Sequence, residues 1–121
     1  EKDTVECWGT GAPMREFMYV ADAAEAVVQS LQNYNDETKP LNIGTGKDIS
    51  IKELVEGIVE VTGYKGEVFW NTDKPDGQLK KLLSTERMKE FVELEPTDFK
   101  DGLKQTINWY TENKQEADAK H

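Results

Sequence analysis

Ser50 with Glu53 three residues later, the apolar set Ile51, Leu54, Val55, Ile58 and Val59 behind them, and Gly63 at the far end form the segment that most restricts the fold. Serine and glutamate at this spacing make a capping box, in which each side chain serves the other's backbone N–H, and Ile49 and Leu54 stand where a hydrophobic staple would join them. The apolar residues recur at i, i+3, i+4, i+7 and i+8, so they share one buried face of a helix, and glycine adopts the left-handed turn that stops it. Such a helix needs another layer to cover that face. Short β-rich segments supply it: Thr4-Val5-Glu6-Cys7-Trp8, Arg15-Glu16-Phe17-Met18-Tyr19-Val20, Leu41-Asn42-Ile43 and Glu67-Val68-Phe69-Trp70, each ended by turn-forming residues or by a helix signal.

Three more helices are predicted. Asp22 with Glu25 reads as a capping box opening a helix to about Gln32, and Ser84 as the cap of a short helix to Phe91. Thr97 reads as the cap of a last helix, whose stripe is Phe99, Leu103, Ile107 and Tyr110. Helices and short strands alternate, which gives an α/β class of small, mixed α+β build. At 121 residues the chain has the length of one domain and could bury roughly two thirds of its unfolded surface. The expected division is a single unit over residues 1–113 and a frayed, disordered tail over 114–121, where no apolar stripe continues. The chain opens on Glu1 rather than methionine, so a longer reading frame is expected.

The charge balance narrows the partners. Fifteen Lys and Arg against 24 Asp and Glu leave a net charge of −9, which disfavours broad contact with nucleic acid or an anionic membrane but leaves room for a small anion held by a few local donors. No apolar run reaches the roughly 20 residues of a membrane span, so a soluble, intracellular protein is expected. One cysteine, Cys7, permits no internal disulfide framework and no cysteine-rich zinc site, and it reads as a small core residue. The only histidine is the terminal His121, so a Ser-His-Asp arrangement is unavailable. Gly44-Thr45-Gly46 follows a strand candidate, but Ile49 occupies the place of the third glycine of a dinucleotide fingerprint, and the turn reads more simply as the entry to the capped helix.

Two segments carry chemistry. Trp8-Gly9-Thr10-Gly11-Ala12-Pro13-Met14-Arg15-Glu16-Phe17 sets an aromatic at a strand end, a loop of little bulk, and an arginine entering the next strand. Arginine binds phosphate oxygens bidentately and tryptophan offers a flat face, which together suit an anionic ligand bearing a ring. The plain alternative is a core tryptophan and a surface arginine paired with Glu16. Lys74-Pro75-Asp76-Gly77-Gln78-Leu79-Lys80-Lys81 presents one carboxylate and then two lysines from a rigid turn, a set able to accept from sugar hydroxyls and neutralise phosphate, or merely a solvated turn.

These segments, with LNIGTGKDISIKELVEGIVEVTGYKGEVFW between them, resemble the C-terminal part of extended short-chain dehydrogenase/reductases of the NAD-dependent epimerase/dehydratase family. Arg-Glu-Phe followed by Tyr-Val is shared across that superfamily. Gly-Thr-Gly-Ala-Pro-Met-Arg-Glu-Phe with Lys-Pro-Asp-Gly and Lys-Leu-Leu resembles the GDP-L-fucose synthase branch, over about Val5 to Asn113. The resemblance implies a cytoplasmic, homodimeric parent enzyme that epimerises C3 and C5 of GDP-4-keto-6-deoxy-D-mannose and reduces C4 with NADPH. It also implies that Trp8, Arg15, Asp76 and Lys81 contact the GDP-sugar, with Arg15 facing the diphosphate. The family's NADP loop, its Ser and Tyr-xxx-Lys and its catalytic Cys and His belong to a preceding Rossmann domain and have no match here, so this chain alone is expected to be inactive and to hold no cofactor or metal. A UDP- or dTDP-sugar enzyme and a noncatalytic binding module are the competing readings.

Overall fold

Strand β1 (Thr4–Trp8) pairs in parallel with β4 (Glu67–Asn71), in a register that sets Val5 against Val68 and Cys7 against Trp70. The computed structural model describes residues 3–36 and 38–120; Glu1, Lys2, Glu37 and the terminal His121 lie outside the described residues. A second sheet has the order β3-β2-β5, from β3 (Ile49–Ser50), β2 (Met14–Arg15) and β5 (Lys80–Lys81). β2 runs antiparallel to β3 and parallel to β5.

Helix α2 (Ile51–Thr62) forms as its local signals dictate. Glu53 N–H donates to Ser50 Oγ at 3.0 Å, Ser50 N–H donates to Glu53 Oε2 at 2.7 Å, and Gly63 ends the helix at φ +67°. Its apolar face borders a groove shared with β1 and β4 and lined by Val5, Cys7, Val55, Ile58, Val59 and Val68. It also packs on α4 (Phe99–Glu112): a Cβ on Gly57 would lie 3.3 Å from Phe99 Cε1 and 3.4 Å from Leu103 Cδ2, so the glycine lets the helices approach closely. The small buried core lies elsewhere, at Ala26 of α1 (Val20–Asn33), Met88 of α3 (Met88–Phe91) and Val92, with Met18, Leu41, Ile43, Phe91 and Leu94 packed around it.

Several local expectations are corrected. Helix α1 starts at Val20, and Asp22 lies inside its first turn, where its carboxylate accepts from Thr97 N–H at 2.7 Å and Thr97 Oγ1–H at 2.9 Å instead of capping. Thr97 is therefore engaged, and the cap of α4 passes to Asp98, which accepts from Lys100 N–H. Ser84 caps nothing: α3 is one turn preceded by Arg87 without a side-chain cap. Leu41-Asn42-Ile43 forms no strand; Leu41 and Ile43 are held by packing on the core. In 114–121, where the sequence reads as a tail, α5 (Lys114–Ala119) forms, with Lys114 paired to Asp118 and Lys120 to Glu116 across single turns.

The chain exposes 9114 Å², about a third more than the roughly 6,600 Å² that a compact monomer of this mass shows. Among the described residues no large side chain is fully buried, so its length alone overstates the core this chain makes for itself.

Candidate functional site

The loop between β1 and β2 is built to come close to the side chains of Asp76 and Trp70. Gly9 (φ +82°) and Gly11 (φ +77°) take left-handed conformations, and a Cβ on either would meet Asp76 Oδ1 at 2.2 Å or Trp70 Cη2 at 2.7 Å. Glycine at both positions therefore serves conformation and clearance together. Between them, Thr10 donates its N–H to Asp76 Oδ1 at 2.8 Å and its hydroxyl to Asp76 Oδ2 at 2.6 Å. These two bonds, the hydroxyl's first, hold the Asp76 carboxyl below the usual carboxylate range. The 9–11 loop and the 74–78 turn are thereby joined.

The same turn wraps the arginine. Arg15 Nη1 donates to Gln78 O at 2.6 Å and to Met14 O at 2.7 Å, and Gly77 lies against Nη2. Among the described residues Arg15 forms no ion pair, so its charge is oriented by neutral carbonyls and not cancelled. Arg15 and Lys81 are register partners of the parallel pair β2–β5, which puts both side chains on one sheet face. They line one open groove of about 520 Å³ with Glu16, Gln78, Lys80, Leu82 and Leu83. Lys80, one position along, is turned to a charge contact with Asp48 at 3.3 Å that lacks hydrogen-bond alignment.

The structure thus brings Arg15 and Lys81 together and ties Asp76 to the loop that leads to Arg15. Trp8 does not line that groove; it stands 67% exposed at the end of β1, with Lys74 Nζ 5.2 Å from its ring centroid. Sequence reasoning passed over Thr10 and Lys74. Lys74 was available as the first cation of the Lys-Pro-Asp-Gly turn, but a ring contact across 66 residues has no local signal. Cys7 is half-buried on the α2 side of β1, away from these residues. The larger groove beside α2, about 780 Å³, is mainly apolar and carries none of the candidate residues.

The Gly44-Thr45-Gly46 turn, read against a dinucleotide fingerprint, does not fit a phosphate. It is occupied by a side chain: Gly46 N–H donates to Glu16 Oε2 at 3.1 Å, and Glu16 Oε1 stands 2.0 Å from where a Cβ on Gly44 would be. No group of three or more potential metal-ligating His, Cys, Asp or Glu residues is found among the described residues.

Residues 1–44 match the family model described as the NAD dependent epimerase/dehydratase family. The chain is 41% identical over 111 residues to a putative GDP-L-fucose synthase 2 of Arabidopsis thaliana, covering 92% of this chain and 34% of that protein. It is 38% identical over 117 residues to the GDP-L-fucose synthase of Escherichia coli, covering 90% and 36%. In structure it matches a GDP-L-fucose synthetase of Naegleria fowleri bound to NADP with a TM-score of 0.84 at 28% identity, over 93% of this chain and 36% of that one. Sequence and fold liken the chain to the NAD dependent epimerase/dehydratase family. The similarity is to the C-terminal part of GDP-L-fucose synthases, and the chain spans about a third of the length of the curated relatives it matches.

Proposed function

We propose that this chain is the substrate-binding part of a GDP-L-fucose synthase-like enzyme, one that epimerises C3 and C5 of GDP-4-keto-6-deoxy-D-mannose and reduces C4 with NADPH. The observation that carries this reading is the Arg15–Lys81 register, which sets two cations side by side on a groove that Lys80, itself facing Asp48, also lines, in a chain with net charge −9. A diphosphate is the part of the substrate that such a pair recognises. Trp8 offers its exposed ring face to the ligand, and Asp76 has lone pairs beyond those used by Thr10 with which to accept from a sugar hydroxyl. Binding energy at the diphosphate would orient the sugar toward reacting groups and NADP(H) held outside this chain, so remote contacts would act on rate as well as affinity.

The remainder of such an enzyme is also the proposed partner of α1. Val20, Val27, Val28 and Leu31 form an apolar stripe along that helix, and Leu31 is 81% exposed. The proposal carries a cytoplasmic setting and a homodimeric parent; no helix among the described residues is long and apolar enough to cross a membrane.

Calorimetric titration with GDP, UDP and the Arg15→Ala variant tests the reading. Saturable binding that prefers GDP and weakens about tenfold or more in the variant is expected, since a hydrogen bond to a charged group contributes roughly 1.5–3 kcal/mol. Equal binding of UDP would move the assignment to another nucleotide-sugar enzyme. Binding unaffected by Arg15→Ala would overturn the site. The chain by itself should not turn over GDP-4-keto-6-deoxy-D-mannose with NADPH, and robust turnover would overturn the assignment of the reacting groups to the rest of the enzyme.

A further inference from the structure

The chain holds two Gly-Thr-Gly turns, at 9–11 and 44–46, and each grips a carboxylate that is distant in sequence. The first holds Asp76. The second holds Glu16, the residue next to Arg15 and a lining residue of the same groove. Its geometry is that of a socket. Gly46 N–H donates to Glu16 Oε2 at 3.1 Å in a left-handed conformation at φ +73°, and a Cβ on Gly44 would stand 2.0 Å from Oε1 and 2.9 Å from Cδ. The far side of Gly46 faces buried Thr85, whose Oγ1 would lie 3.0 Å from a Cβ there. A side chain at 44 and the carboxylate of Glu16 exclude each other.

The placement matters because of what Glu16 adjoins. A carboxylate free to swing in the groove would pair with Arg15 or Lys81 and compete with an anionic ligand for the same donors. Held at the 44–46 turn, it also fastens the end of β2 to the segment that leads into β3, whose Ile49 is the register partner of Arg15. The guanidinium is thus held directly by the Met14 and Gln78 carbonyls, and its strand by the latch on the following residue.

We propose that Glu16 is a positioning residue for the anion groove, acting through its socket in the Gly44–Gly46 turn to hold β2 in place and keep its own charge off Arg15. This rests on the reading of the groove as a diphosphate site and goes beyond it by naming a residue that works without touching the ligand. GDP is titrated into the wild-type chain and the Glu16→Ala, Glu16→Gln and Gly44→Ala variants, with thermal midpoints recorded for each. Glu16→Ala and Gly44→Ala are expected to weaken GDP binding by about tenfold or more, whereas Glu16→Gln, whose amide oxygen still accepts from Gly46 N–H, stays within about threefold of wild type. Lower midpoints with GDP affinity intact would make the latch structural only and overturn the proposal, as would Glu16→Gln binding as poorly as Glu16→Ala. Absence of GDP binding by the wild type would overturn the reading of the groove itself; wild-type binding to which Glu16→Ala is indifferent would overturn this proposal alone.

Discussion

At the scale of single residues, the Thr10–Asp76 pair decides how the candidate site is held. Both carboxylate oxygens of Asp76 accept from one threonine, and the lowered carboxyl pKa is the thermodynamic image of those bonds. A depressed carboxylate stabilises the folded state above its unfolded pKa of about 3.9, and the contribution is lost as pH falls through the lower folded value. Asp76→Ala should therefore lower the thermal midpoint by a constant amount between about pH 6 and 8, and the gap to wild type should close as the pH falls below about 4. A gap that widened on acidification would show that Asp76 acts otherwise. The sequence singled out Asp76 and read both Gly-Thr-Gly segments as turns or loops, yet it paired neither with its carboxylate. Those partners are 66 and 30 residues apart, and only the tertiary fold brings them together.

At the scale of elements, legibility follows locality. Helix α2 was readable to its ends because Ser50, Glu53 and Gly63 satisfy the helix's own backbone groups within a turn. Helix α1 was misread at its start because Asp22, a good capping residue by type, is claimed by Thr97 from across the chain. Leu41-Asn42-Ile43 shows the converse: apolar composition placed it inside but could not say that no strand would stand beside it. The Asp22–Thr97 link is partly buried and ties α1 to the entrance of α4, so Asp22→Ala leaves two donors without their acceptor. The expected loss is about 2 kcal/mol of folding stability, read from denaturant midpoints with the slope unchanged. Asp22→Asn should recover part of it, since the amide oxygen still accepts one bond; if both variants matched wild type, the link would be incidental.

At the scale of the whole molecule, surface area gives information that length did not. A chain of 121 residues can in principle cover a good core, but this one leaves an excess of exposed surface of about 2,500 Å², on the order of what obligate interfaces bury. Part of that excess is patterned. Val20, Val27 and Leu31 recur on α1 at the spacing of a buried helix face, while Ala26 on another side already faces the core. A helix apolar on two sides can pack against two layers, and the described residues cover one of its sides. Without its cover the stripe should drive self-association, which Val27→Glu with Leu31→Glu would relieve by placing charges within it. In a longer protein that carries this segment with its covering layer, the same pair of changes would bury two unpaired carboxylates, so the thermal midpoint should fall sharply there while rising or holding in the isolated chain. Opposite signs in the two contexts, measured by light scattering and thermal unfolding, would identify α1 as an interior helix of the larger fold; a harmless double variant in both would leave the stripe as ordinary surface.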